Sequence, residues 1–478
     1  MKSDQPPTDT SAPPHVISRR AFLRQLSVAA GAAILVACGP ANPAADAPTA
    51  APNAQPTAAP AATTSAPAAA SGTTKLVLMY NENEFSDAEI KAFTDANPGI
   101  QIERVPWGDD TKFKAMLAAG NPPDVFRTEG RFIPSLANQK IVLNLNEYFK
   151  SSDKFKPEDL APSNAYYNYQ GNIYGMPKDW SPDHSMFISN AAFQDAGVDI
   201  PTPTNVLRYA DVAALAGKLL KKDGDRIVRM GWGYETGWFV RTIQRIMAEQ
   251  DEKLYKPDFS AMDLTGSKAA VEALKFFYDA SKENITWNPL NPSPNWIGDD
   301  FVKGLLSIVS YGYWFSGMLA GAQDSPVTGK VTMLPAPTFY GKKRVNPTVS
   351  AAGTAIAANS KNPDAAWKLF EYYNAGEPAI ARAKSGWGVP SLKSMYNLMP
   401  RQTDFQKQVQ AVLQDELKYA DYVLDVNPYY EDSVFNNSWT TNLEQALRGS
   451  ITFDQLVENI QTACNTAIAD GRKAQGVA

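Results

Sequence analysis

The sequence predicts an α/β fold in two lobes, each a mostly parallel sheet covered by helices. Two observations carry this. From Lys75 onward, strand-like and helix-like patterns alternate at the spacing of a parallel sheet. About 400 residues follow Lys75, more than one ordinary core accommodates.

Lys75-Leu-Val-Leu-Met-Tyr80 reads as a buried first strand. Ser86-Asp-Ala-Glu89 is a capping box, a Ser and a Glu placed to satisfy each other's free backbone N–H groups. The helix that it opens stops at Asn97-Pro98-Gly99. Ile100–Val105 alternates as a strand, Thr111–Ala119 is helical with Gly120 as its stop, and Asp124–Arg127 is a third short strand. Asn172–Pro177 and Ser185–Ser189 are strand-like and flank Lys178–Asp183. Asn190 caps a short helix ending at Gly197. A strand near Ile227–Gly231, a helix near Ser267–Lys282 and a buried strand Ser307–Tyr311 follow. Val331–Leu334 and Thr354–Ala358 are again strands. Asn362-Pro363-Asp364 opens a helix through Tyr373, with Pro in its first turn. The last eighty or so residues are mostly helical, with a second capping box at Thr452-Phe-Asp-Gln455 ahead of the helix Phe453–Asp470. No internal repeat is present.

The N-terminal segment is of another kind. Ser18-Arg19-Arg20-Ala21-Phe22-Leu23-Arg24 resembles a twin-arginine export signal, and Leu35-Val36-Ala37-Cys38 resembles a lipoprotein lipobox. The apolar stretch between them, about a dozen residues, is shorter than the roughly 20 that a spanning helix needs. Residues 1–37 are therefore expected to be a signal peptide and Cys38 the lipidated first mature residue, tethered to a membrane outside the cytoplasm. Residues 39–74 are almost all Ala, Pro, Thr and Ser, too poor in apolar surface to offset the entropy of ordering, and are expected to be a disordered linker. Two acyl chains at Cys38 would make a stable anchor.

Formal net charge is −5, more acidic still once the segment before Cys38 is removed. An acidic chain is a poor match for nucleic acid or an anionic membrane face. Cys38 and Cys464 are the only cysteines. Acylation of the first leaves no disulfide, and Cys464, on a helical pattern, is assigned to the core.

Several landmarks now resemble a known family, the extracellular solute-binding proteins of ABC importers that take sugars, to which maltose-binding protein belongs. They are Asn97-Pro-Gly-Ile100, Ala119-Gly-Asn-Pro-Pro-Asp-Val-Phe126, Gly171-Asn-Ile-Tyr-Gly-Met-Pro177, Phe193-Gln-Asp-Ala-Gly197 with Pro201-Thr-Pro203, Tyr311-Gly-Tyr-Trp314, Met333-Leu-Pro335 and Ser360-Lys-Asn-Pro-Asp-Ala-Ala-Trp367. Where many members carry Tyr-Tyr-Asn, this chain has Ile188-Ser189-Asn190, so any ligand contact from those tyrosines is absent. The resemblance implies a two-lobed, periplasmic-binding-protein-like fold of type II. Residues 75–180 and 331–374 would form the first lobe, and 181–330 and 375–478 the second. Hinges would lie near Pro177–Asp183 and Leu334–Pro337. It also implies a monomer that delivers a sugar or oligosaccharide to ABC permease subunits, with no cofactor, metal or nucleic acid.

A sugar offers an apolar C–H face and a rim of hydroxyls, so its site needs flat aromatic rings plus carboxylate, amide or guanidinium groups. Ligands of open α/β sheets bind beyond the carboxyl ends of the strands. That rule selects Asn81, Glu82 and Asn83 after the first strand, Arg127 and Glu129 after the third, and Trp232 and Glu235 in the second lobe. The resemblance adds Trp180, Asp183, Trp314 and Trp387. Structural roles are assigned to Trp367 (core), Trp107 (packing on the helix near Thr111) and Asp124 (binding backbone donors). Arg127 and Glu129 have an alternative as a surface ion pair, and Asn81–Glu84 as a solvated turn.

A secreted glycoside hydrolase would also use aromatics and carboxylates, but no motif supplies a paired acid and nucleophile. His184 is the one histidine after the signal, which leaves a zinc site or a Ser-His-Asp triad hard to build; it reads as a hinge-loop residue. The same fold could instead take a polyamine or a ferric ion. Tyr166-Tyr167, Tyr372-Tyr373 and Tyr429-Tyr430 are the candidate iron ligands.

Overall fold

The computed structural model describes residues 73–107, 110–349 and 351–477. The signal, the lipobox Cys38 and nearly all of the linker lie outside the described residues.

Two five-stranded sheets organise the chain. In the first, Thr74–Met79 pairs in parallel with Ile100–Val105 on one side and Val125–Glu129 on the other. Ala352–Ile356 runs against Val125–Glu129, and Gly175–Pro177 closes that edge. Helices pack on both faces. Leu76, Leu78, Val125 and Ile356 meet Phe93, Phe370 and Tyr373. Met79, Phe126 and Ala355 meet Phe113 on the other face. Phe93 belongs to the helix Asp87–Ala96, whose capping box is formed: Ser86 N donates to Glu89 Oε2 at 2.7 Å and Glu89 N to Ser86 Oγ at 3.2 Å.

The second sheet runs in the order Val331–Leu334, Ser185–Ser189, Leu306–Tyr311, Arg226–Gly233, Lys221–Asp223. Three strands share a direction and two run against them: the one that arrives from the first sheet and the one that turns back as a hairpin. Both faces are buried, and successive side chains alternate between them, as a pleated strand requires. Ile188, Trp232 and Ile308 face a core with Tyr209, Phe277 and Trp439. Phe187, Met230 and Val309 face another with Phe301, Phe315 and Val412.

The second sheet is mixed rather than mostly parallel, because three of its four pairings are antiparallel; elsewhere sequence and structure differ in limits. Asn172–Pro177 divides, because Gln170 and Gly171 both take positive φ (48° and 77°) and turn a tight hairpin. Asn172–Ile173 therefore pairs with Asn168–Tyr169, while Gly175–Pro177 enters the first sheet. Arg226–Gly233 extends two residues past the expected Gly231, and the final helix runs on to Ala474.

The chain passes between the sheets three times. Lys178–His184 leads from Gly175–Pro177 to Ser185–Ser189, and Pro335–Val349 returns from Val331–Leu334 toward Ala352–Ile356. The third passage follows the short strand Val389–Pro390 and reaches the helix Asp404–Glu416. These passages are fastened together. Asp179–Trp180 pairs with Val389–Pro390. Asn346 Oδ1 accepts from His184 N at 2.9 Å, and Asn346 Nδ2 donates to Ser185 Oγ at 3.3 Å and to Glu416.

Candidate functional site

Side chains from both sheets line a cleft of about 470 Å³ at the passages. One wall is ionic. Arg127 Nε donates to Glu84 Oε1 at 3.1 Å, and Arg127 Nη1 reaches Glu129 Oε1 at 3.5 Å. Arg131 Nε donates to Glu129 Oε2 at 2.7 Å, and Lys178 Nζ to Asp179 Oδ2 at 2.7 Å. Arg127 also lies over the Trp107 ring at 5.5 Å. All six network partners are less than a quarter exposed, so their charges are weakly screened compared with a surface pair.

The opposite wall is aromatic. Trp296 and Trp314 stack with centroids 6.1 Å apart and planes 18° from parallel. Tyr311 sits 4.9 Å from Trp314 and 5.3 Å from Trp296, and Trp238 meets Tyr311 edge-on at 5.9 Å. Glu235 lies at the heart of this group. Its Oε2 accepts from Trp296 Nε1 at 2.8 Å and Tyr311 Oη at 2.9 Å, and its Oε1 from Gly237 N at 3.1 Å. Burial and the Glu235 charge keep the Tyr311 hydroxyl protonated well above its usual pKa, which makes it a donor. Trp296 and Trp387 are 39% and 43% exposed and leave indole surface open along the cleft lining.

Asp183 joins the wall to the returning passage Pro335–Val349. Its Oδ2 accepts from Thr348 Oγ1 at 2.9 Å and Val349 N at 2.8 Å, and its Oδ1 from Trp314 Nε1 at 3.2 Å. Burial pushes its carboxyl up to about 7 against the pull of these donors. The close approach depends on Gly312, where a Cβ would lie 2.3 Å from Asp183 Oδ1 and 2.4 Å from Ser181 Cβ.

Of the residues selected from sequence, Arg127, Glu129, Trp180, Asp183, Glu235, Trp314 and Trp387 line the cleft. Trp180 does so with little exposed surface, its Nε1 donating to Pro390 O at 3.2 Å. Asn81, Glu82 and Asn83 do not line it. Tyr80 turns inward to donate to Gly353 O at 3.0 Å, the chain turns at Asn81, and it is Glu84 that reaches the cleft. Trp232 is a core residue, 1% exposed between Tyr209 and Phe277. The strand runs to Gly233 rather than ending near Gly231, so Trp232 lies inside the sheet and not beyond it.

Trp296, Trp238, Arg131, Lys178 and Asp179 were missed. Trp296 had a signal: an indole directly after the polar, Pro-rich loop Asn291–Asn295, where a core role is hard to satisfy. Arg131 and Lys178 had none, since surface ion pairs look the same in sequence. The remaining assignments are matched by geometry. Trp107 packs on Phe113 at 6.4 Å, Trp367 stacks on Phe370 at 5.0 Å, and Asp124 Oδ2 accepts from Val77 N at 2.8 Å. His184 is buried in the passage Lys178–His184, and burial beside Arg245 holds its ring neutral. Cys464 is buried, its thiol pushed up to about 12.

Five of the six paired tyrosine hydroxyls are committed elsewhere. Tyr166 donates to Thr348 O, Tyr167 to Ala351 O, Tyr372 to Glu89 O and Tyr373 to Glu84 O, and Tyr430 bonds Tyr255. Among the described residues no three or more His, Cys, Asp or Glu side chains gather as metal ligands, and no helix is long and apolar enough to cross a membrane. A second, narrower cavity of about 100 Å³, mostly apolar, adjoins Arg127 and Arg131 near Trp107 and Val426.

Residues 80–377 match the family described as Bacterial extracellular solute-binding protein. In structure the chain is similar to the ABC substrate-binding protein Lmo0181 from Listeria monocytogenes in complex with cycloalternan (20% identity, TM-score 0.70, covering 85% of this chain and 100% of that one). It is also similar to an ABC transporter solute-binding protein from Agrobacterium vitis S4 with bound D-mannitol (18%, 0.66, 84% and 99%) and to the sugar-binding protein MalE from the phytopathogen Xanthomonas citri (18%, 0.64, 84% and 99%). No curated protein matches the chain in sequence.

Proposed function

The chain belongs to the bacterial extracellular solute-binding proteins, a family of binders and not of enzymes, and on that premise we propose that it captures a sugar or oligosaccharide between its lobes and passes it to an ABC importer permease. One observation carries the proposal: stacked indoles on one wall of the cleft face a hydrogen-bonding network on the other. An indole face covers the C–H face of a sugar ring. Glu129, Arg131 and Asp179 supply acceptors and donors for hydroxyls that would each cost about 1–3 kcal/mol if shut in unpaired. The similar proteins from Listeria and Agrobacterium hold cycloalternan and D-mannitol, both polyhydroxylated.

Closure of one lobe on the other about the three passages would exclude water from this cleft, a hinge motion of ordinary kind. The lobe division is part of the proposal: 75–180 with 331–374, and 181–330 with 375–478. The helix Glu377–Ser385 is reassigned to the first lobe, since Arg382 Nη2 donates to Tyr373 O at 2.8 Å. Export by the twin-arginine route, lipidation at Cys38 and a loose linker would hold the binder at the membrane within reach of the permease. The test is a thermal-shift and calorimetric titration against mono-, di- and oligosaccharides. A ligand at a hundred times its Kd adds about 2.7 kcal/mol of stability. If no sugar shifts the melting transition or releases heat, the reading fails.

A further inference from the structure

The cleft's charges do not balance, and the imbalance has an address. On the ionic wall Glu84, Glu129 and Asp179 are matched by Arg127, Arg131 and Lys178. Among the described residues Asp183 and Glu235 have no such partner; Asp183 is buried with its oxygens engaged by Thr348, Val349 and Trp314, which leaves Glu235 as the half-buried carboxylate open to a ligand. Among the described residues it forms no ion pair; its oxygens accept from two ring donors, Trp296 and Tyr311, and one backbone N–H, all neutral. Around it stand the rings of Trp238, Trp296, Tyr311 and Trp314, three of them indoles. An indole face attracts cations through its quadrupole, and among the described residues no cationic side chain competes for this carboxylate. A neutral hydroxyl there would gain one hydrogen bond; an ammonium would gain that bond and the Coulomb attraction together, in a setting of electron-rich rings.

We propose that the aromatic wall selects a protonated amine, and that the ligand is an amino sugar whose ammonium group sits in the box formed by Trp238, Trp296, Tyr311 and Trp314 over Glu235. This rests on the sugar reading and refines it. The test uses three disaccharides on one β-1,4 scaffold that differ only at position 2: the disaccharide of glucosamine (amine), N,N′-diacetylchitobiose (acetamide) and cellobiose (hydroxyl). Spermidine is the sugar-free amine.

By calorimetry the amine form should bind tighter than both neutral forms by on the order of tenfold. Glu235→Gln keeps an oxygen for Trp296 and Tyr311 but removes the charge, and should bring the ratio of amine to hydroxyl affinity to about one. Neutral forms that bind the parent chain as tightly as the amine overturn the inference and leave the sugar reading standing; so does a ratio unchanged in Glu235→Gln. Binding of spermidine with no binding of any sugar overturns the sugar reading, and this assignment with it.

Discussion

Asp183→Asn probes the junction of hinge and cleft. Asp183 is 6% exposed and bonds the return passage through Thr348 and Val349 and the aromatic wall through Trp314. In the folded chain burial lifts its carboxyl from the ordinary 3.8 to about 7. The native state therefore keeps a proton that the unfolded chain releases as pH rises. The stabilising contribution is whole below about pH 4 and is lost by the time pH has risen through about 7. Some three pKa units amount to on the order of 4 kcal/mol. Asn cannot titrate and has nearly the shape of the protonated acid. Its amide forfeits an acceptor, an offset that does not vary with pH. The unfolding free energy of the variant minus that of the parent should climb by on the order of 4 kcal/mol between about pH 4 and pH 8. For about 400 ordered residues this corresponds to roughly 5 °C in Tm. Urea and thermal denaturation of both proteins across that range measure it. A difference that stays flat through the window refutes the argument and shows that the three donors outweigh burial.

Other outcomes follow from the same geometry. Trp314→Ala and Trp296→Ala should each weaken sugar binding by on the order of tenfold or more in calorimetry, whereas Trp232→Phe should leave affinity unchanged and lower stability by roughly 1–3 kcal/mol. Asn346→Ala strips a partner from His184 N and from Glu416 and should cost roughly 1–3 kcal/mol in urea denaturation. Gly312→Ala should shift the hinge and destabilise by roughly 1–3 kcal/mol, because its Cβ meets Asp183 and Ser181. Cys38→Ser should move the protein from the membrane fraction to the soluble fraction of expressing cells.

Local chemistry made much of this molecule legible. The capping boxes at Ser86 and Thr452 form as read, because Ser or Thr with Glu or Gln three residues on closes its own bonds whatever the surroundings. Ser185–Ser189 has the limits expected of it, since a short run buried on both faces has few other ways to pair. Glu235, Trp314 and Asp183 were reachable from strand ends and family landmarks. Asn81–Asn83 failed for a reason outside the strand: Tyr80 is anchored to Gly353 and Thr354, more than 270 residues away, and that anchor swings the following turn off the cleft.

Sequence alone determined the classes of element, their order, the two sheets and the need for an aromatic and polar site, because hydrophobic period, caps and turn residues act within a few positions. Only the tertiary structure decided which tryptophans belong to that site. Trp232 and Trp296 are the same residue, yet one is packed under Phe277 and the other opens onto Glu235. What separates them is where a strand ends and which distant segments meet there, and that is set by contacts between residues far apart in the chain.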